Sequence, residues 1–310
     1  MKNKIKIFAP ATVANFVCGY DILGFALNNC GDEVELIRNE SNELTFELVN
    51  SESPLAQLPP EKNIAYAMVK LFLQQQNIRE GIHIRLHKKM PLNSGMGSSS
   101  ASSVAALVAA NELFGSPLTK HQLLPLSMEG ERMACGMAHA DNVAPALFGG
   151  IVLIRSYDPL EVVQLPVPEK LFAAVIHPHI DVPTSAARKI IRQNILLKDA
   201  VTQWGNIGGL IAGIYSGNYP LLGRSMQDVL IEPARALLIP FFYEMKKAAI
   251  EKGALGFGIS GSGPSVFALC TDHNTAEQIG ASTNQFLKQN NIASDYFASG
   301  INTRGANIIS

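Results

Sequence analysis

Hydrophobic and charged positions alternate with a period of two near the N-terminus, where Ile5 and Ile7 are interleaved with Lys4 and Lys6. The pattern predicts a half-buried strand over residues 4–8. Further strands are predicted at 31–38, ending in a polar turn around 39–42, and at 44–48. A Pro-rich loop at 53–60 leads into a helix over 64–76, with Met68, Leu71 and Phe72 at helical spacing. Ile82, Ile84 and Leu86 alternate with His83, Arg85 and His87, another strand, which residues 91–94 break. Residues 99–114 read as a helix stopped by Gly115, where glycine is favoured. Thr119 and Gln122 have capping-box spacing and start the next helix.

Prolines and charges cluster at 156–168, between strands predicted at 151–155 and 171–177. The domain boundary is expected there, giving domains 1–160 and 161–310. The second half is helix-rich to about Gly253, with a helical stretch at 241–252. Strands at 256–260 and 265–270, a helix over 275–289, and strands at 294–299 and 306–309 complete it. Gly209, Gly213 and Gly217 recur at every fourth position, which predicts close helix–helix contact inside the fold.

Composition narrows the class. A chain of 310 residues favours two domains. Hydrophobic residues at 47% against 16% charged can bury a substantial core and argue against global disorder. Twenty-five basic and 26 acidic side chains exclude a chain-wide basic surface, so no nucleic-acid partner is expected. The longest uncharged stretches, 90–111 and 200–223, are studded with Gly, Ser and Asn, so no membrane span is expected. The lysines near the N-terminus belong to a strand pattern, and Pro10, Thr12, Asn15 and Asp21 interrupt the apolar stretch after them, which disfavours a signal peptide. Four widely spaced cysteines (Cys18, Cys30, Cys135, Cys270) read as reduced thiols of a cytoplasmic protein.

The most chemically loaded segment is Pro91, Leu92, Asn93, Ser94, Gly95, Met96, Gly97, Ser98, Ser99, Ser100, Ala101, Ser102. A strand, a glycine turn and a helix N-terminus together make a phosphate cradle, because unpaired helix-start amides and the helix dipole favour an anion. No Lys-Ser/Thr pair comes after the second glycine, so it is not a Walker loop, and Ser100 stands where a dinucleotide fingerprint needs its third glycine. A literal fingerprint at Gly256, Gly258 and Gly261 comes after a helix and runs into a strand, the wrong order for dinucleotide binding. The side-chain-poor turn from Ser260 to Gly263 reads as a hairpin that could also close over phosphates.

Other polar clusters are less specific. Asn15 and Asp21 lie in an apolar neighbourhood, where an acid requires a cationic partner. Glu131, near a helix end, is a candidate oxygen ligand for Mg²⁺. His139, Asp141 and Asn142 form a dense run of donors and acceptors, and Arg188 and Arg235, amid small or apolar residues, could grip a carboxylate. His177 and His179 have no local third ligand for zinc.

Three blocks, residues 10–27, 91–102 and 258–264, together resemble the small-molecule kinases named for galactokinase, homoserine kinase, mevalonate kinase and phosphomevalonate kinase. Residues 139–150, 231–235 and 12–21 are most similar to its homoserine kinase members. The resemblance implies a two-domain α/β (α+β) fold, the N-terminal half like domain 2 of ribosomal protein S5 and the C-terminal half ferredoxin-like. It implies ATP and Mg²⁺ as cofactors, L-homoserine as the small-molecule substrate, and a homodimer. Amides of Gly95–Ser99 would hold the ATP phosphates, Ser99 and Glu131 the Mg²⁺, and Asn63, Lys88 and Lys89 would lie near the adenine, with Gly261 and Gly263 across the cleft. Asn15 and Asp21 would take the substrate ammonium and Arg188 and Arg235 its carboxylate; His139 and Asn142 would border the reacting hydroxyl, with Asp141 the candidate base. Val17 and Cys18 depart from the family's usual Gly and Pro, and Met96 and Ser100 from Leu and Ala. A mevalonate-type kinase or a non-catalytic ligand sensor on the same fold are the alternatives.

Overall fold

The structure, a computed structural model, describes residues 2–49 and 57–310; positions 53–56 of the predicted Pro-rich loop and the side chains of Cys135 and Ser185 lie outside the described residues. The chain begins with β1 (Lys4–Ala14), β2 (Leu23–Asn39), β3 (Leu44–Leu48), α1 (Ile64–Gln75) and β4 (Gly81–His87). Then come α2 (Ser98–Leu113), α3 (Lys120–Cys135), α4 (Ala140–Phe148), β5 (Ile151–Tyr157) and β6 (Leu160–Leu165). The second half runs β7 (Phe172–Pro178), α5 (Thr184–Lys189), α6 (Leu197–Ser216), α7 (Tyr219–Ser225), α8 (Glu232–Arg235) and α9 (Phe242–Glu251). It closes with β8 (Gly256–Ile259), β9 (Val266–Cys270), α10 (His273–Gln289), β10 (Ser294–Gly300) and β11 (Asn307–Ile308).

The period-two pattern of β1 has the expected consequence. Ile5 and Ile7 are buried, while Lys4 and Lys6 form ion pairs with Glu35 (2.7 Å) and Glu33 (2.6 Å) of β2. Both strands outrun their predicted limits, because alternation stops where they become buried on both faces from Ala9 to Ala14. Their pairing shifts register between Pro10 and Thr12, an irregularity that accommodates a residue without a backbone N–H.

The first sheet has the order β11-β1-β2-β4-β3, with β5 on the early part of β2 and β6 on β5. A division at 160/161 therefore falls at the β5–β6 hairpin: β6 belongs to the first sheet, and the chain returns to that sheet through β11. The polar composition at 156–168 reflects a sheet edge, and the change of sheet comes between Leu165 and Phe172. The second sheet, β10-β7-β9-β8, is antiparallel, with its own strands in the order fourth, first, third, second, as in a ferredoxin-like fold.

Helix α2 packs against β1, β2, α1, α3 and α4, which its run of Ser and Ala permits. Gly115 lies just past its end at φ +85°, and the Thr119–Gln122 capping box is formed. A Cβ at Gly209 or Gly213 would meet Ser225 Oγ at 2.4 Å or Leu222 N at 2.8 Å, so those glycines let α6 and α7 touch; Gly217 instead ends α6 in the left-handed conformation. Among the described residues no helix is long and apolar enough to cross a membrane.

Candidate active site

A cleft of about 420 Å³ lies where the glycine-serine loop, α3, α4, α5, α8 and the β8–β9 turn converge. Its floor is the start of α2. Gly97 caps that helix at φ +66°, and Ala101 N is the first amide to find a helical acceptor, the carbonyl of Gly97. The amides of Ser98, Ser99 and Ser100 precede that first helical bond and are directed outward from the helix start. Ser98 Oγ is buried without a hydrogen-bond partner among the described residues. A Cβ at Gly97 would lie 2.1 Å from Thr12 Oγ1, and one at Gly95 (φ +75°) 2.5 Å from the Ser260 carbonyl. The two glycine turns thus interlock, and Ser260 Oγ donates to the Gly95 carbonyl at 2.7 Å. The Ser260–Gly263 segment is the β8–β9 hairpin turn and also a wall of the cleft, since Gly261 and Ser262 line it.

Above this floor, Glu131 accepts hydrogen bonds from Ser99 Oγ and from Ser100 Oγ (2.7 Å). Burial raises the Glu131 pKa, and the two serine bonds oppose the rise. One carboxylate and a hydroxyl in a polar cleft fit the oxygen donors Mg²⁺ prefers. Glu129 is half-buried and paired with Arg132.

Lys88 and Lys89 do different work from that expected. Lys88 Nζ is buried against Asp32, Ser102 Oγ (2.9 Å) and the Ser98 carbonyl (2.6 Å), so it braces the first turn of α2. Lys89 pairs with Glu33, away from the cleft. Lys88 nevertheless lines the cleft beside Asn63, with its ammonium turned to these internal partners, whereas Lys89 does not line it. Asn63 lines the cleft and caps α1 through Ala65 N at 2.9 Å. Leu92, Asn93 and Ser94 also line the cleft; Pro91, Met96, Ser100, Ala101 and Gly263 do not. Met96 is in the core, and the Ala101 amide is used inside the helix.

At the opposite end, Asp21 and Arg188 form a two-bond ion pair at 3.2 Å. Arg235 is buried and donates to the carbonyls of Ala187 (3.2 Å) and Gly261 (2.9 Å), with no carboxylate partner among the described residues. Burial lowers its pKa. Asn15 donates to Gly261 O at 2.7 Å and accepts from Asp21 N at 3.0 Å, so it holds the Asp21 turn against the hairpin. His139 caps α4, with Nδ1 3.7 Å from Asp21 and Nε2 buried without a hydrogen bond; burial lowers its pKa, which favours the neutral ring. Asn142 accepts from Thr12 Oγ1 at 2.7 Å.

Asp141, in the first turn of α4, has its pKa raised to about 8, first by burial and then by Asp21 and Glu131. Residues that sequence reasoning did not single out are Thr12, Thr184, Tyr20 and Tyr157, whose hydroxyl donates to the Asp21 carbonyl at 2.6 Å and accepts from Ala140 N at 3.3 Å. Thr12 lies inside the 12–21 block; nothing near Tyr157 points to the cleft. His177 bonds Ser265 and His179 pairs with Asp295.

Residues 63–150 match the GHMP kinases N terminal domain and residues 210–289 the GHMP kinases C terminal domain. The chain belongs to the GHMP kinases and, within them, to the homoserine kinase family. A homoserine kinase of Chlorobium phaeovibrioides is 47% identical, covering 99% of this chain and 100% of that protein. One of Methanococcus maripaludis is 39% identical over 86% of this chain and 88% of its own. The crystal structure of homoserine kinase from Cytophaga hutchinsonii superposes with a TM-score of 0.94 at 51% identity, covering 100% of this chain and 98% of that one. The mevalonate kinase of L. major shares the fold alone, at TM-score 0.74 and 17% identity, with 97% of this chain and 98% of that one covered.

Proposed function

We propose that the chain transfers a phosphoryl group from ATP to the side-chain hydroxyl of L-homoserine, giving O-phospho-L-homoserine in threonine biosynthesis. The observation that carries this reading is the convergence of one acid and two arginines on the cleft floored by the start of α2. Homoserine has an ammonium for Asp21, a carboxylate for Arg188 and Arg235, and a terminal hydroxyl to reach toward the phosphates. Its binding would exchange the internal Asp21–Arg188 pair for one bond from each partner. Mevalonate has no ammonium and would leave Asp21 uncompensated.

The amides of Gly95–Ser99 would hold the phosphates, and Ser99 and Glu131 the Mg²⁺. The metal, when bound, supplies charge that offsets the phosphates. With a loose transition state, positioning and charge neutralisation carry most of the rate. His139 and Asn142 would fix the hydroxyl. Asp141 would accept its proton in the ionised form, which its pKa of about 8 makes more abundant as pH rises through that value.

An ADP-release assay over homoserine, mevalonate, shikimate and sugars tests the reading. Turnover on homoserine alone is expected. Preference for mevalonate would make it another alcohol kinase, and ligand binding without turnover a sensor.

We also propose a homodimer. Support comes from α6, whose outward side carries Leu197, Val201, Trp204 and Tyr215 largely exposed, with open space over Gly205 and Gly208. Sedimentation would show twice the chain mass. A cytoplasmic setting suits the free thiols of Cys18, Cys30 and Cys270, each pushed up to about 12 by burial.

A further inference from the structure

We propose that Tyr20 is a positioning residue that sets carboxylate specificity: its ring gathers the guanidinium groups of Arg188 and Arg235 at one end of the cleft. The proposal rests on the homoserine reading and deepens it. The Tyr20 ring centroid lies 5.0 Å from Arg235 Cζ and 5.7 Å from Arg188 Cζ, so two like charges share one aromatic ring. Like charges held close repel, and the negative face of an aromatic ring opposes that repulsion where water is scarce.

The two arginines are anchored differently. Arg188 is tied to Asp21, and the hydrogen bonds of Arg235 among the described residues go to neutral carbonyls. When an incoming ammonium takes Asp21, Arg188 loses an anchor. Tyr20 stays in contact with both cations.

The turn that carries the ring is tightly constrained. Its neighbour Asp21 has φ +59°, and Asn15 to Val17 run at φ +71°, +40° and +63°. A Cβ at Gly19 would lie within 2.5 Å of Leu23 Cβ, so the turn is tightly packed. The Tyr20 hydroxyl makes no hydrogen bond among the described residues, so the ring face, rather than the phenol, is what the arginines use. Tyr20 does not line the main cleft and acts through the arginines.

The test compares homoserine with its analogue 2-amino-1,4-butanediol, which keeps the ammonium, the chain length and the reacting hydroxyl but has no carboxylate. Tyr20→Leu should raise KM for homoserine about tenfold, as loss of one buried and one partly exposed cation–π contact would. KM for ATP, and kcat/KM for the diol, should stay within about twofold of the parent's. Tyr20→Phe should restore homoserine KM. Should Tyr20→Leu not fold, Tyr20→Met keeps the apolar bulk without the ring and takes its place. An unchanged homoserine KM, an equal loss on both substrates, or a Phe variant as impaired as Leu would overturn the proposal while homoserine activity stands. A parent chain inactive on homoserine would overturn the homoserine reading itself.

Discussion

The two ends of the cleft are built by opposite means. The phosphate end is made of backbone: glycine turns at Gly95 and Gly97, helix-start amides, and one carboxylate held by Ser99 and Ser100. The proposed substrate end is made of charged side chains from distant parts of the chain, Arg188 of α5, Arg235 of α8 and Asp21, the last on a turn with positive φ at four non-glycine residues. On the proposed assignment the first end would accept any polyphosphate and the second would discriminate, because each of its charges requires a counter-charge. A site for a common co-substrate and a selector for a particular alcohol would then occupy one cleft, joined by the Ser260–Gly263 turn, which touches Gly95 on one side and Arg235 on the other.

Asp141 sits between the two ends, and its replacement should have the largest effect. Asp141→Asn should lower kcat by about 100-fold or more, the range of a lost general base, while ATP still binds. Activity near that of the parent would show that transfer proceeds without a base. The same carboxyl gives a pH signature. Its pKa is about 8 folded against an ordinary 3.8, so the folded chain holds the proton more tightly than the unfolded chain. Stability from this group is present at low pH and is lost as pH rises from about 4 to about 8. In thermal melts Asp141→Asn should gain on the parent steadily over that interval, and parallel curves would contradict the burial argument.

Glu131→Gln probes the phosphate end. The amide oxygen can still accept from the serines, so the fold should persist, while kcat falls on the order of 100-fold and more Mg²⁺ is needed. Unchanged metal dependence would remove Glu131 from that role. Arg235→Leu probes the selector. It should cost about 1.5–3 kcal/mol of homoserine binding with KM for ATP unmoved, so equal changes in both would blur the division between the ends.

How far each end is legible in the sequence depends on its construction. The phosphate end is local, with strand, glycine turn and helix start in one stretch, and it can be read from spacing. The capping box at Thr119 and the strand alternation at Ile82–Leu86 are legible for the same reason. The selector joins residues 21, 188 and 235, and no spacing rule predicts that they meet; only resemblance brings them together. The partners of Lys88 and Lys89 are not legible either, because Asp32 and Glu33 belong to β2, a strand distant in sequence that lies beside β4, which ends just before the two lysines. The boundary at 160 misleads because an exposed edge strand has the composition of a linker.

Val17→Gly is the smallest expected effect and sharpens the comparison at its finest point. Val17 holds φ +63°, a conformation costing a non-glycine residue about 1–2 kcal/mol. Its buried side chain covers Gly258, where a Cβ would lie 2.7 Å from Val17 Cγ2, and burial contributes about 1.5 kcal/mol in the other direction. The two nearly cancel, so denaturant melts should shift by less than about 1 kcal/mol. A larger shift would show that strain in this turn is part of how the selector is held.

Phosphorus NMR of the chain incubated with ATP, Mg²⁺ and L-homoserine tests the central claim most directly. The expected result is loss of the γ-phosphate signal matched by a new phosphomonoester coupled to the C4 protons of homoserine. Inorganic phosphate as the sole product, or no change in the spectrum, would contradict it.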